Sequence, residues 1–125
     1  MRTMKKIFIL QALLLVLIAV LYLYFDVYLN FGRILWWWDI LLHFLGGLWF
    51  ALLGAFLLSR IGVRVRLLHC LGLALAIGLA WEVFEYIFDL GGSVFMSYRL
   101  DTIKDIVDDV LGGGFAYFLI ERFRS

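Results

Sequence analysis

Proline is absent from the 125-residue chain, so no helix is forced to kink by a missing backbone donor, and any break falls to glycine. Cysteine occurs once, as Cys70, which excludes an intramolecular disulfide and any multi-thiolate metal site. Charge is scarce too. Only 17% of residues are charged and the formal net charge is +1, so there is no basic field with which to hold nucleic acid. Apolar residues fill the space left: the chain is 66% hydrophobic and 18% aromatic, against roughly 45–50% apolar usage in soluble domains. With a mean hydropathy of +1.03, this composition predicts one domain that lives in lipid and is held by helix packing within the bilayer.

A spanning helix needs about 20 mostly apolar residues. Four stretches qualify, 7–24, 36–58, 67–90 and 102–120, and their long, non-alternating runs exclude a closed barrel. The fold class expected is therefore all-α, an integral membrane four-helix bundle. The first stretch follows Arg2, Lys5 and Lys6 as a signal peptide would, but it runs into Tyr22, Tyr24 and Phe25 without a small-residue cleavage site, and is read as a helix. Basic residues set the orientation. Arg2, Lys5, Lys6, Arg60, Arg64, Arg66, Arg122 and Arg124 fall on one side, against Arg33, Arg99 and Lys104 on the other, which puts both N and C termini in the cytoplasm of a plasma-membrane protein. Trp36, Trp37 and Trp38, with Tyr28 and Phe31 before them, suit an aromatic belt at the outer interface.

The carboxylates are concentrated in the last three stretches. Asp39 and His43 stand four residues apart and share a helix face, continued by Gly46, Gly47 and Gly54. Glu82, Glu85 and Asp89 repeat the design, with Ala74 and Gly78 extending the face as a small-residue surface for close helix contact. So do Asp101, Asp105, Asp108 and Asp109, prolonged by Gly112 and Ala116. With a rise of about 1.5 Å per residue, Asp39, His43, Glu82, Glu85, Asp105 and Asp109 all lie roughly 5–12 Å below the outer boundary. The first helix contributes only Gln11, near the opposite end, and reads as scaffold.

A carboxylate at mid-bilayer costs roughly 2.5–3.5 kcal/mol on insertion scales, less near the interface, so such a set needs compensation. The nearby cations are Arg99, Lys104 and His43 when protonated. Shared protons, entering water or a bound cation must supply the rest.

These motifs resemble those of the YjdF-like and VanZ-like groups of small bacterial membrane proteins. Asp39-x3-His43-Phe44-x-Gly46 resembles the opening motif of both groups. Glu82-x-x-Glu85-Tyr86 resembles the paired glutamates of the YjdF-like group, and Asp105-x3-Asp109-x3-Gly113 resembles the closing acidic and glycine pattern. Ile40, Glu85 and Asp109 depart from the VanZ-like pattern, so the YjdF-like resemblance is the closer one. It implies a polytopic membrane protein and no particular activity; the VanZ-like group is associated with glycopeptide resistance at the cell envelope.

Three readings of the cluster are open from the residues. The first is a divalent-metal site for Mg²⁺, Mn²⁺ or Zn²⁺, with Asp39, His43, Glu82, Glu85, Asp105 and Asp109 as ligands, Glu82, Glu85 or Asp105 in catalysis on an envelope or lipid-linked substrate, and Arg99 holding a phosphate. The second is an ion or proton relay; the third is structural glue or a non-catalytic binding module. The partners expected are membrane lipids, with a homo-oligomer or an envelope partner. His69 and Cys70 read as ordinary residues of a helix end, and Gly91, Gly92 and Ser93 permit a mobile or dipping loop beside the cluster.

Overall fold

The computed structural model describes residues 2–90 and 92–124; the loop expectation at Gly91 lies outside the described residues. Every regular element is helical. Helix α1 (Arg2–Val20) continues without interruption into a wider π-helical segment (Leu21–Tyr28), followed by the short α2 (Phe31–Ile34), then α3 (Trp38–Arg60), α4 (Leu67–Phe88) and α5 (Tyr98–Arg124). No strand occurs among the described residues. Residues 2–28, α3 and α4 are each long and apolar enough to cross a membrane. Helix α5 has the length, at 27 residues, but its acids and Lys104 interrupt the apolar run.

The connections follow from local chemistry. The π-helical segment ends where Leu29 N–H donates to the Tyr24 carbonyl at 3.1 Å, and Asn30, in the left-handed region at φ 59°, separates it from α2. The Asp26 carboxylate then accepts the Gly32 N–H at 2.9 Å, a clip that any Cβ at Gly32 would meet. The start of α4 is capped by His69, whose Nδ1 accepts the Arg66 N–H at 2.9 Å. The histidine set aside in the sequence is thus a capping residue. Helix α4 ends on Asp89, left-handed at φ 53°.

Helix α5 is central, packing on both α3 and α4, while α1 lies mainly against α3. Glycines set these approaches. A Cβ on Gly47 would overlap the Asp109 backbone, one on Gly112 would overlap the Phe44 carbonyl, and one on Gly113 would meet the Cys70 carbonyl and Ala74. Gly46 faces open space, so the expected stripe on α3 runs through Gly47 and Gly54 and not through Gly46. The two chain ends lie together, where Thr3 Oγ1 donates to the Phe123 carbonyl at 3.3 Å.

The interior is divided along its length. Toward the termini, Ile7, Leu48, Ala51, Leu52, Ala55, Val65, Cys70, Ala116 and Ile120 form an apolar core. Toward the other end the buried polar residues are His43, Glu82, Asp101, Asp105, Asp108 and Asp109, with Trp38 also buried. The outer wall is the reverse: Leu13, Val16, Leu111 and Phe118 are each about 60% exposed, whereas Asp105 is 1% exposed. Polar inside and apolar outside suits a lipid solvent and would be unfavourable in water.

Candidate functional site

The polar half is built by three helices that glycine lets approach. Gly78 of α4 abuts the Asp109 carboxylate and Gly47 of α3 abuts its backbone, so Asp109 is wedged where α3, α4 and α5 meet. His43 enters from α3. Its Nδ1 faces Asp109 Oδ1 and Oδ2 at 3.3 and 3.4 Å, and its Nε2 faces Asp39 Oδ1 at 3.4 Å and Asp105 Oδ2 at 3.3 Å. A ring protonated on both nitrogens donates to all of these acceptors; a neutral ring aims one lone pair at a carboxylate, which calls for a proton or a cation between them.

Lys104 is the second hub. Its ammonium donates to Asp39 Oδ2 at 2.9 Å and to Asp105 Oδ1 at 2.8 Å, and reaches Asp108 Oδ2 at 3.5 Å. Both oxygens of Asp105 are therefore engaged, one by Lys104 and the other by His43. The α3–α5 side of the cluster brings its own cation.

On the α4 side the pattern differs. Oxygens of Glu82, Glu85 and Asp105 lie within 4.8 Å of one another, a second three-residue group that shares Asp105 with the group Asp39, His43 and Asp105. Glu85 Oε1 accepts the Trp81 indole N–H at 2.7 Å. Glu82 is only 8% exposed, and its Oε1 is buried with no hydrogen-bond partner among the described residues; Asp101 Oδ1, one turn before Asp105, is in the same condition. A buried carboxylate oxygen without a donor is costly, and a shared proton, an entering water or a metal ion removes the cost.

Five of the six expected ligands thus fall into two groups joined at Asp105; the sixth, Asp109, belongs to neither and contacts His43. Arg99 is exposed at the start of α5 and enters no ion pair among the described residues. A cavity of about 280 Å³ lies between the end of α4 and the start of α5, lined by Glu85, Tyr86, Asp89 and Tyr98. Sequence reasoning placed Lys104 only near the mouth and left Asp101 and Asp108 out of the ligand set. The signals that would have found the network are the Lys104–Asp108 spacing of one helical turn and the matching Trp81–Glu85 spacing.

Lipid-facing apolar walls around a buried acidic centre define a helical membrane protein. The chain belongs to the family described as "Predicted membrane protein (DUF2238)", whose model matches residues 1–125. No curated protein and no solved structure matches it.

Proposed function

We propose that this chain is a multi-pass plasma-membrane protein, a four-helix bundle with both termini cytoplasmic, that holds a divalent cation on Glu82, Glu85 and Asp105 in the outer half of the membrane. The observation that carries this reading is the partnerless Oε1 of Glu82 inside a three-carboxylate group. With metal–oxygen bonds of about 2.0–2.6 Å, ligand oxygens on one ion lie up to about 4–5 Å apart, which the 4.8 Å envelope meets. The donors are all hard oxygens, which favours Mg²⁺ or Mn²⁺ over Zn²⁺. Of the residues first considered, His43 and Asp109 then act through Asp105: His43, with Lys104, holds its carboxylate in place.

The α3–α5 side supports the structural reading for its own half. Asp39, His43, Lys104, Asp105, Asp108 and Asp109 pair with and orient one another across two helices, four carboxylates around two basic side chains, as interhelical glue does. Glu82 and Glu85 on the α4 side, by contrast, form no ion pair with a basic side chain among the described residues. The cavity beside Glu85 has acidic and aromatic walls, so an anionic group such as a lipid-linked phosphate would enter it only with a cation on Glu85, with Arg99 nearby on α5 to grip a second oxygen. In that extension the ion acts as a Lewis acid on an envelope substrate. The YjdF-like resemblance, with its paired glutamates, fits the same assignment.

Metal content tests it. Detergent-purified protein is expected to retain about one divalent ion per chain, and the Glu82→Gln variant, shown by circular dichroism to keep its helices, is expected to lose it. No ion in either protein overturns the reading and assigns the carboxylates to shared protons.

A further inference from the structure

The opposite end of the molecule carries a different feature, independent of the carboxylate site. A groove of about 310 Å³ runs between α1 and α3, lined by Lys5, Phe8, Ile9, Phe56 and Arg60. Its floor is apolar: the Phe8 and Phe56 rings meet across the two helices with centroids 5.1 Å apart, and Ile9 extends the surface. Lys5 lies one turn before Phe8 and Ile9, and Arg60 one turn after Phe56, so both cations flank the same end of the groove. Their neighbours are committed elsewhere. Lys6 sits over the Phe123 ring, 5.9 Å from its centroid, and Arg124 pairs with Glu121 and donates to the Val65 carbonyl. Neither Lys5 nor Arg60 has a carboxylate partner among the described residues.

We propose that this groove is a binding site for an anionic phospholipid, its headgroup held between Lys5 and Arg60 and an acyl chain laid over Phe8, Ile9 and Phe56. The charge at the groove's end is complementary to a phosphodiester, and the guanidinium of Arg60 offers a planar fork to two of its oxygens. A free phosphate would leave the apolar floor unused. A zwitterionic lipid would bring its own ammonium beside two cations. The groove opens on the lipid-facing wall, at the end where the basic residues of the chain collect and where an anionic leaflet would supply such a headgroup.

Native mass spectrometry of the full-length protein in detergent tests the site, reading bound phosphatidylglycerol against phosphatidylcholine of equal chain length. The wild type is expected to prefer phosphatidylglycerol, and the Lys5→Gln/Arg60→Gln double variant to lose about tenfold or more of that preference, at roughly fivefold per basic residue. The Lys6→Gln variant should keep it. Equal binding of the two lipids by the wild type overturns the proposal, as does a preference that survives in the double variant. Displacement of the lipid by millimolar inorganic phosphate overturns it in favour of a free-phosphate site. If the double variant fails to fold, the lipid comparison and the phosphate competition on the wild type decide the matter.

Discussion

Asp105 is the residue on which the polar half turns. It is 1% exposed, receives Lys104 at 2.8 Å on one oxygen and His43 at 3.3 Å on the other, and is shared by both three-residue groups. Removing one partner of a buried pair leaves an uncompensated charge, at a cost of about 3–5 kcal/mol. Lys104→Met is therefore expected to lower the thermal midpoint in detergent by a wide margin, whereas Arg99→Gln, at an exposed position with no ion pair among the described residues, should stay within about 0.5 kcal/mol of wild type. Equal effects from the two would contradict the network. The sequence made both residues local cations of the same mouth, because adjacency to an acidic run says nothing about which side chain turns inward. Position on the helix separates them: Lys104 falls one turn before Asp108, while Arg99 is exposed in the first turn of α5.

Among the elements, α5 decides the architecture by touching α3 and α4 through glycine on two flanks. Gly112 lies against the Phe44 carbonyl and Gly113 against Cys70 and Ala74. Gly47→Ala forces a Cβ into the Asp109 backbone and is expected to destabilise by about 1–3 kcal/mol. Gly46→Ala meets nothing within 4 Å and should be neutral or stabilise by up to about 1 kcal/mol through helix propensity. Thermal unfolding of both variants in one detergent checks the pair, and a larger loss at Gly46 would refute the packing. Much of this was legible beforehand. The small residues Gly54, Ala74, Gly78, Gly112 and Ala116 continue the acidic faces at helical spacing, as a close-packed seam requires. Which of two successive glycines bears the contact was not legible, since neighbours on a helix differ by about 100° and a broad stripe includes both. Helix α5, at Tyr98–Arg124, runs beyond the 102–120 stretch expected to span the membrane: its charged first turn lies outside any apolar window yet continues the same helix.

The whole molecule is sorted by polarity in two directions. Across its section, acids lie inside and large apolar side chains outside; along its length, an apolar core near the termini gives way to carboxylates at the far end. The proposed orientation puts the termini in the cytoplasm and the α4–α5 connection outside. Cys70 is fully buried, so the chain offers a silent background for cysteine labelling. Val94, exposed in that connection, and Ile61, exposed at the other end after α3, are suitable reporters. A membrane-impermeant maleimide added to intact cells should label Val94→Cys and spare Ile61→Cys, and the reverse pattern would invert the topology.

The proposed cation is assigned to the α4–α5 group and not to the α3–α5 group, and a Mn²⁺ titration followed by electron paramagnetic resonance compares the two directly in the wild type, Glu82→Gln and Asp39→Asn proteins. The account predicts about one tightly held Mn²⁺ per chain in the wild type, retained in Asp39→Asn and lost in Glu82→Gln. Loss in Asp39→Asn with retention in Glu82→Gln would place the ion on the opposite group and contradict it.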